Sequence, residues 1–169
     1  MISQPVVERV DPAAVSAAGG SRSVTRTRLR VRVRITSDAD VALAAAQARH
    51  LARRLAFAPS DVTVIGAALH EVARNLLAYG GRGEVLVHPV RRRGRLGLTI
   101  IAHDRGPGIA DVRRALRDGC SSTGRPGLGL PSARRLMDEF TLRSGPERGT
   151  IVTMRKWART ATSAGVQTR

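Results

Sequence analysis

Aromatic residues are nearly missing from this chain: one Trp, one Tyr and two Phe make up 2% of 169 residues. A core must then be assembled from Ala, Val, Leu and Ile, which the 42% hydrophobic content allows for one domain of this length. The same scarcity removes the ring platforms on which single-stranded nucleic acid stacks. Lysine is scarcer still. Lys156 is the only one among 29 basic side chains. The formal net charge of +16 is therefore read as a coding preference for Arg, not as a nucleic-acid surface. Cys120 is the single cysteine, so no intrachain disulfide can form and a reducing compartment fits. No apolar run approaches the ~20 residues that span a bilayer. The N-terminus also lacks the basic region and continuous apolar stretch of a signal peptide. The expectation is a soluble cytoplasmic protein with neither a nucleic-acid nor a membrane partner.

Residues 1–25 carry Pro5, Pro12, Gly19-Gly20 and many small polar residues without a period, and read as a mobile tail. Leu29, Val31, Val33 and Ile35 then alternate with Arg28, Arg30, Arg32 and Arg34, the pattern of a strand with one charged, solvated face. Thr36-Ser37-Asp38 offers caps for a helix over 38–57, with Leu43, Ala46, Leu51 and Leu55 as its apolar stripe. Pro59-Ser60-Asp61 breaks that helix and caps a second, Val62 to Tyr79, whose stripe is Ile65, Leu69, Val72 and Leu76. Gly80-Gly81 ends it. Glu84–Val90 and Leu96–Ala102 read as strands joined by an exposed basic turn, Arg91 to Arg95. A short helix, roughly Asp111 to Arg117, precedes a Ser/Thr/Gly-rich loop, Gly119 to Pro126. A helix from Leu130 to near Phe140 follows, then a hairpin of Thr141–Ser144 and Thr150–Trp157. The order predicts an α+β fold, a two-layer sandwich of helices on one face of a mixed, largely antiparallel sheet. It spans 26–158, with a polar tail over 159–169.

Four pieces carry chemistry. Glu71 and Asn75 stand four residues apart, so a helix stacks them on one face beside the apolar stripe. Oxygen ligands of this kind suit Mg²⁺, although the pair also fits the wet side of a surface helix. Asp104 follows a strand and precedes Gly106-Pro107-Gly108. A carboxylate there can accept a hydrogen bond from the exocyclic amine of adenine, and glycines let backbone pass close to a flat ring. An ordinary Asp-x-Gly turn reads the same way. Gly127-Leu128-Gly129-Leu130 opens a helix whose free N–H groups can hold phosphate, and Arg125 can reach a terminal phosphate. Thr150, after Gly149, can support a nucleobase through its hydroxyl. No G-x-x-x-x-G-K-[ST] loop is present, which excludes the P-loop solution.

Taken together, E-x-x-x-N on a helix, D-x-G-P-G-I after a strand, R-P-G-L-G-L into a helix and G-T before the last strand resemble the GHKL (Bergerat) ATP-binding fold. Gyrase, MutL, histidine kinases and the large heat-shock chaperone share that fold. Within it, Glu71 to Asn75, Asp104 to Ile109, Gly129 to Pro131 and Arg135 to Phe140 are similar to the small bacterial serine/threonine kinases, the RsbT-like switch kinases and anti-sigma regulatory factors. The likeness covers about residues 26–157.

The resemblance implies ATP and Mg²⁺ as cofactors, with Glu71 as general base and Asn75 as metal ligand. It puts Asp104, Gly106, Gly108 and Thr150 at the adenine, and Arg125, Gly127, Leu128, Gly129 and Leu130 at the phosphates. Gly119–Pro126 becomes a short ATP lid in which Cys120 is incidental. His70 and His103 become packing neighbours, not nucleophiles. The implied substrate is a STAS-domain antagonist or scaffold protein in a partner-switching, sigma-factor stress pathway. A metal-dependent serine/threonine phosphatase is implied as a further partner. A second reading is an anti-sigma factor that sequesters a sigma factor. Oligomeric state is not legible.

Overall fold

The computed structural model describes residues 29–117, 129–146 and 148–159. The expected N-terminal tail lies outside these residues. So do Cys120, Arg125, Gly127, Leu128 and the rest of the expected lid, and all of the expected C-terminal tail but Arg159.

The alternating stretch forms strand β1 (Val31–Ile35), with Val33 and Ile35 buried and Arg32 and Arg34 exposed as the pattern predicts. Helix α1 (Asp38–Arg54) starts in a reciprocal cap. Ser37 Oγ accepts from Asp40 N at 3.3 Å, while Asp40 Oδ2 accepts from Thr36 N at 2.9 Å and Thr36 Oγ1 at 2.7 Å. These bonds, the Thr36 hydroxyl's first, hold the Asp40 carboxyl below its ordinary value. The buried stripe of α1 is Val41, Ala44, Ala45, Ala48, Leu51 and Ala52. The expected stripe is rotated from this one: Leu43 and Ala46 face solvent. In a helix this rich in Ala, small residues can fill the close contact with its neighbour, and leucine need not mark the inner face.

That neighbour is α2 (Pro59–Gly80), whose expected stripe is inside: Ile65, Leu69, Val72 and Leu76 are all buried. Its start differs from expectation. Pro59 is itself in the first turn, where its missing N–H costs nothing, and no side chain caps the helix. Asp61 is instead buried and gripped by Arg159, whose Nη2 lies 3.1 Å from Oδ1 and whose Nε lies 3.3 Å from Oδ2. Packed structure therefore runs through Arg159. Gly81, with φ +71°, ends α2 as expected.

β2 (Gly83–Arg92) and β3 (Arg95–Asp104) are joined by Arg93-Gly94, both at positive φ, a two-residue hairpin turn. α3 (Val112–Ala115) is capped by Asp111, whose Oδ1 accepts from Arg114 N at 2.9 Å. α4 (Leu130–Leu136) stops earlier than the sequence pattern suggests. Met137 is already extended, and Phe140 belongs to β4 (Glu139–Gly145), which pairs with β5 (Gly149–Trp157). Tertiary pairing wins here. Asp138 N donates to Arg155 O, and Glu139 lies opposite Arg155.

The sheet order is β1-β2-β3-β5-β4, and all four pairings are antiparallel where a mixed sheet is expected. The chain reverses at each step from β1 through α1 and α2 to β2, three times in all, so β2 returns antiparallel against β1. One sheet face carries Val33, Ile35, Val85, Val87, Leu98, Ile100, Ala102, Val152 and Met154 into the core beneath α2. Burying each Val, Ile, Leu or Met side chain among these contributes about 1.5–3 kcal/mol. Among the described residues no helix is long and apolar enough to cross a membrane.

Candidate active site

Helix α2 carries two of the candidate groups. Glu71 and Asn75 sit one turn apart, each partly exposed, beside the buried Val72 and Leu76. Gly80, at the end of the same helix, touches the next group: a Cβ placed on Gly80 would fall 2.5 Å from Asp104 Cβ. Asn75 lies five residues before Gly80, about 7.5 Å in helical rise, so α2 links the Asn75 carboxamide to the turn that bears Asp104.

Asp104 is buried at the end of β3. Its Oδ1 accepts from Gly106 N at 2.8 Å and from Thr150 N at 3.2 Å. No described residue hydrogen-bonds its Oδ2. The carboxylate thus holds its own turn with one oxygen and keeps the other as an acceptor.

The glycines around it let backbone segments pack closely. A Cβ on Gly106 would lie 2.7 Å from Gly80 Cα and 3.0 Å from Tyr79 O, so the missing side chain lets the turn press against α2. Gly108 has φ +77° and a Cβ there would strike the carbonyl of Gly145. Gly149, at φ +68°, packs its backbone against Asp104 and Arg105 in the same way. At these three glycines protein backbone lies where a side chain would begin.

Ser144 gives no local signal in the sequence, yet it ties this corner together. Its Oγ accepts from Ile109 N at 2.7 Å, donates to Gly149 O at 3.1 Å and lies 2.9 Å from Thr150 Oγ1. Asp104, Gly106, Gly108 and Thr150 are thereby brought into one corner, with the Thr150 hydroxyl turned to Ser144.

α4 closes the other side. A Cβ on Gly129 would lie 3.9 Å from Asn75 Nδ2, so the start of α4 stands beside the carboxamide. Leu130 sends its side chain into the core and can offer only backbone to a ligand. Arg125, Gly127 and Leu128 lie outside the described residues.

Glu71 lines a shallow groove of about 460 Å³ between α1 and α2, with Arg49, Thr63, Gly66, Ala67 and His70. It has no hydrogen bond or ion pair with any described residue. His103 sits on the other sheet face, its Nε2 3.6 Å from Glu84 Oε1. Among the described residues no three His, Cys, Asp or Glu side chains gather as a metal site. A metal here would take the Asn75 oxygen and complete its shell from phosphate and water, which is how Mg²⁺ is commonly held.

A half-used carboxylate at a strand end, joined by one helix to a carboxamide, a carboxylate and a second helix's start, is the frame of a nucleotide-binding enzyme. Residues 35–156 match the histidine kinase-like ATPase domain, and the chain belongs to that family. It is 45% identical over 111 residues to the serine/threonine-protein kinase RsbT of Bacillus subtilis (strain 168), across 66% of this chain and 84% of that protein. Within the family the chain is a protein serine/threonine kinase, with ATP as its phosphoryl donor.

Proposed function

We propose that this kinase phosphorylates a serine or threonine of a STAS-domain protein and so switches the partners that protein binds in a stress-response pathway. The observation that carries the reading is the line along α2: Glu71, Asn75, then Gly80 against Asp104, with Gly129 beside Asn75. Adenine would sit at the Asp104 corner, its exocyclic amine donating to the open Oδ2. The triphosphate would run toward Asn75, met by the backbone of Gly129 and Leu130 and by Arg125, Gly127 and Leu128. Asn75 would hold Mg²⁺, which when bound neutralises phosphate charge.

Glu71, one turn further, is the general base. The acceptor hydroxyl oxygen bonds to the γ-phosphorus as the bond to the β-phosphate oxygen breaks. ADP leaves, and the hydroxyl proton passes to the Glu71 carboxylate. A metal-dependent phosphatase as a downstream partner is the most remote part of the reading.

The test is transfer from Mg-ATP to a STAS-domain protein, read as a mass gain of one phosphate. Glu71→Ala is expected to keep ATP affinity and to lower transfer by about 10²- to 10⁴-fold. Transfer at the wild-type rate would remove Glu71 from its role. Capture of a sigma factor with no phosphorylation of any STAS-domain protein would instead support sequestration as the activity.

A further inference from the structure

The groove between α1 and α2 is not explained by ATP binding. Thr63, Ala67, Glu71 and Asn75 follow one another at four-residue steps, so the groove's floor leads along α2 straight to the candidate metal ligand. Its other wall holds Arg49. That side chain lies across Gly66: a Cβ on Gly66 would fall 2.8 Å from Arg49 Cγ and Cδ and 2.7 Å from Nη1. A glycine in the middle of a long helix is unfavourable by itself, so here its vacancy is what lets the arginine lie down.

Arg49 and Glu71 line the same groove but form no ion pair, and neither pairs with any other described residue. A guanidinium held at a groove wall, always charged and with a forked set of donors, matches a carboxylate from outside. Arg53, one turn along α1, adds exposed positive charge beside it.

We propose that the groove receives the acceptor loop of the protein substrate, and that Arg49 is a specificity-determining residue gripping an Asp or Glu of that loop near the acceptor hydroxyl. Arg49 then places the hydroxyl at Glu71 without touching the phosphates. This inference rests on the phosphotransfer reading of Glu71.

The experiment compares the full-length chain with Arg49→Gln, Gly66→Ala and Glu71→Gln on a STAS-domain protein that the wild type phosphorylates. Arg49→Gln is expected to raise KM for that protein about tenfold or more, with kcat and ATP affinity within about twofold of wild type. Gly66→Ala is expected to raise the same KM by displacing Arg49, while its melting temperature holds or rises, since Ala favours the helix. A merely structural arginine would lower the melting temperature or ATP affinity instead. In Arg49→Glu, changing one acidic residue near the acceptor to Lys should restore KM.

KM left unchanged by both Arg49→Gln and Gly66→Ala overturns the inference. So does failure of every charge reversal to restore it. If Glu71→Gln also transfers at the wild-type rate, or the wild type modifies no STAS-domain protein, the phosphotransfer reading has failed and the inference with it. If Glu71→Gln stops transfer while KM ignores Arg49, only the docking inference has failed.

Discussion

The two ends of the sheet use acidic side chains in opposite ways. At one end Asp138 Oδ1 accepts from Lys156 Nζ at 3.0 Å and Oδ2 accepts from Trp157 N at 2.7 Å. Glu139 beside it accepts from Trp157 Nε1 at 2.9 Å through Oε1 and from Arg155 Nη1 at 2.7 Å through Oε2. Every oxygen is engaged. At the other end, among the described residues, Asp104 engages one oxygen and leaves one open. A saturated carboxylate fastens strands and has nothing left to offer a ligand. A half-saturated one in a buried corner stays rigid through its bonded oxygen and can recognise through its free one.

The sharpest way to break this contrast is to change one atom of Asp104. Asp104→Asn can keep the Gly106 and Thr150 bonds through its oxygen, but it turns an amide donor toward the nucleotide. ATP affinity is expected to fall about 10- to 100-fold, equivalent to roughly 1.4–2.7 kcal/mol, with little change in melting temperature. Calorimetric titration with ATP and a thermal melt separate the two effects. Intact affinity would mean that Oδ2 faces no donor.

The mirror-image test is Glu139→Gln. It loses a charge-assisted bond and should cost about 1–2 kcal/mol of stability, read by denaturant unfolding, with ATP affinity unmoved. Burial raises the Glu139 pKa, but the bonds from Arg155 and Trp157 and the charges of Arg155 and Arg92 outweigh it, so its pKa in the folded chain lies below the ordinary 4.5. Such a lowered group contributes stability above its unfolded value and loses it as pH falls through the folded one. The wild type should therefore lose more stability than Glu139→Gln as pH drops below about 4.5. Parallel unfolding curves across that range would contradict the contrast.

The smallest effect is expected at Ser144→Ala, which leaves Ile109 N without its acceptor. A loss of about 1 kcal/mol is expected, together with a few-fold weaker ATP affinity, because Ser144 braces the open corner and not the saturated one.

Much of this was readable before any coordinates. The Leu/Val/Ile–Arg alternation fixed the inner face of β1, and the stripe of α2 put Glu71 and Asn75 on one side of a helix. The motif residues Asp104, Gly106, Gly108 and Thr150 come together as their order suggests, but the glycines there make room for protein backbone. What stayed hidden depends on partners far away in sequence. The early end of α4 follows from Glu139 pairing with Arg155. The inner face of α1 is set by alanines that carry little hydrophobic signal. Ser144 reads as the last residue of a strand, and Asp61 as a cap, until Ile109 and Arg159 are seen beside them.

The contact between Gly80 and Gly106 joins the far end of a continuous rod to the turn that bears Asp104. A helix cannot stretch, so α2 behaves as a gauge block whose length between Asn75 and Gly80 is set by residue count alone. One residue added there would lengthen the span by about 1.5 Å and swing Glu71 and Asn75 about 100° around the axis relative to the turn.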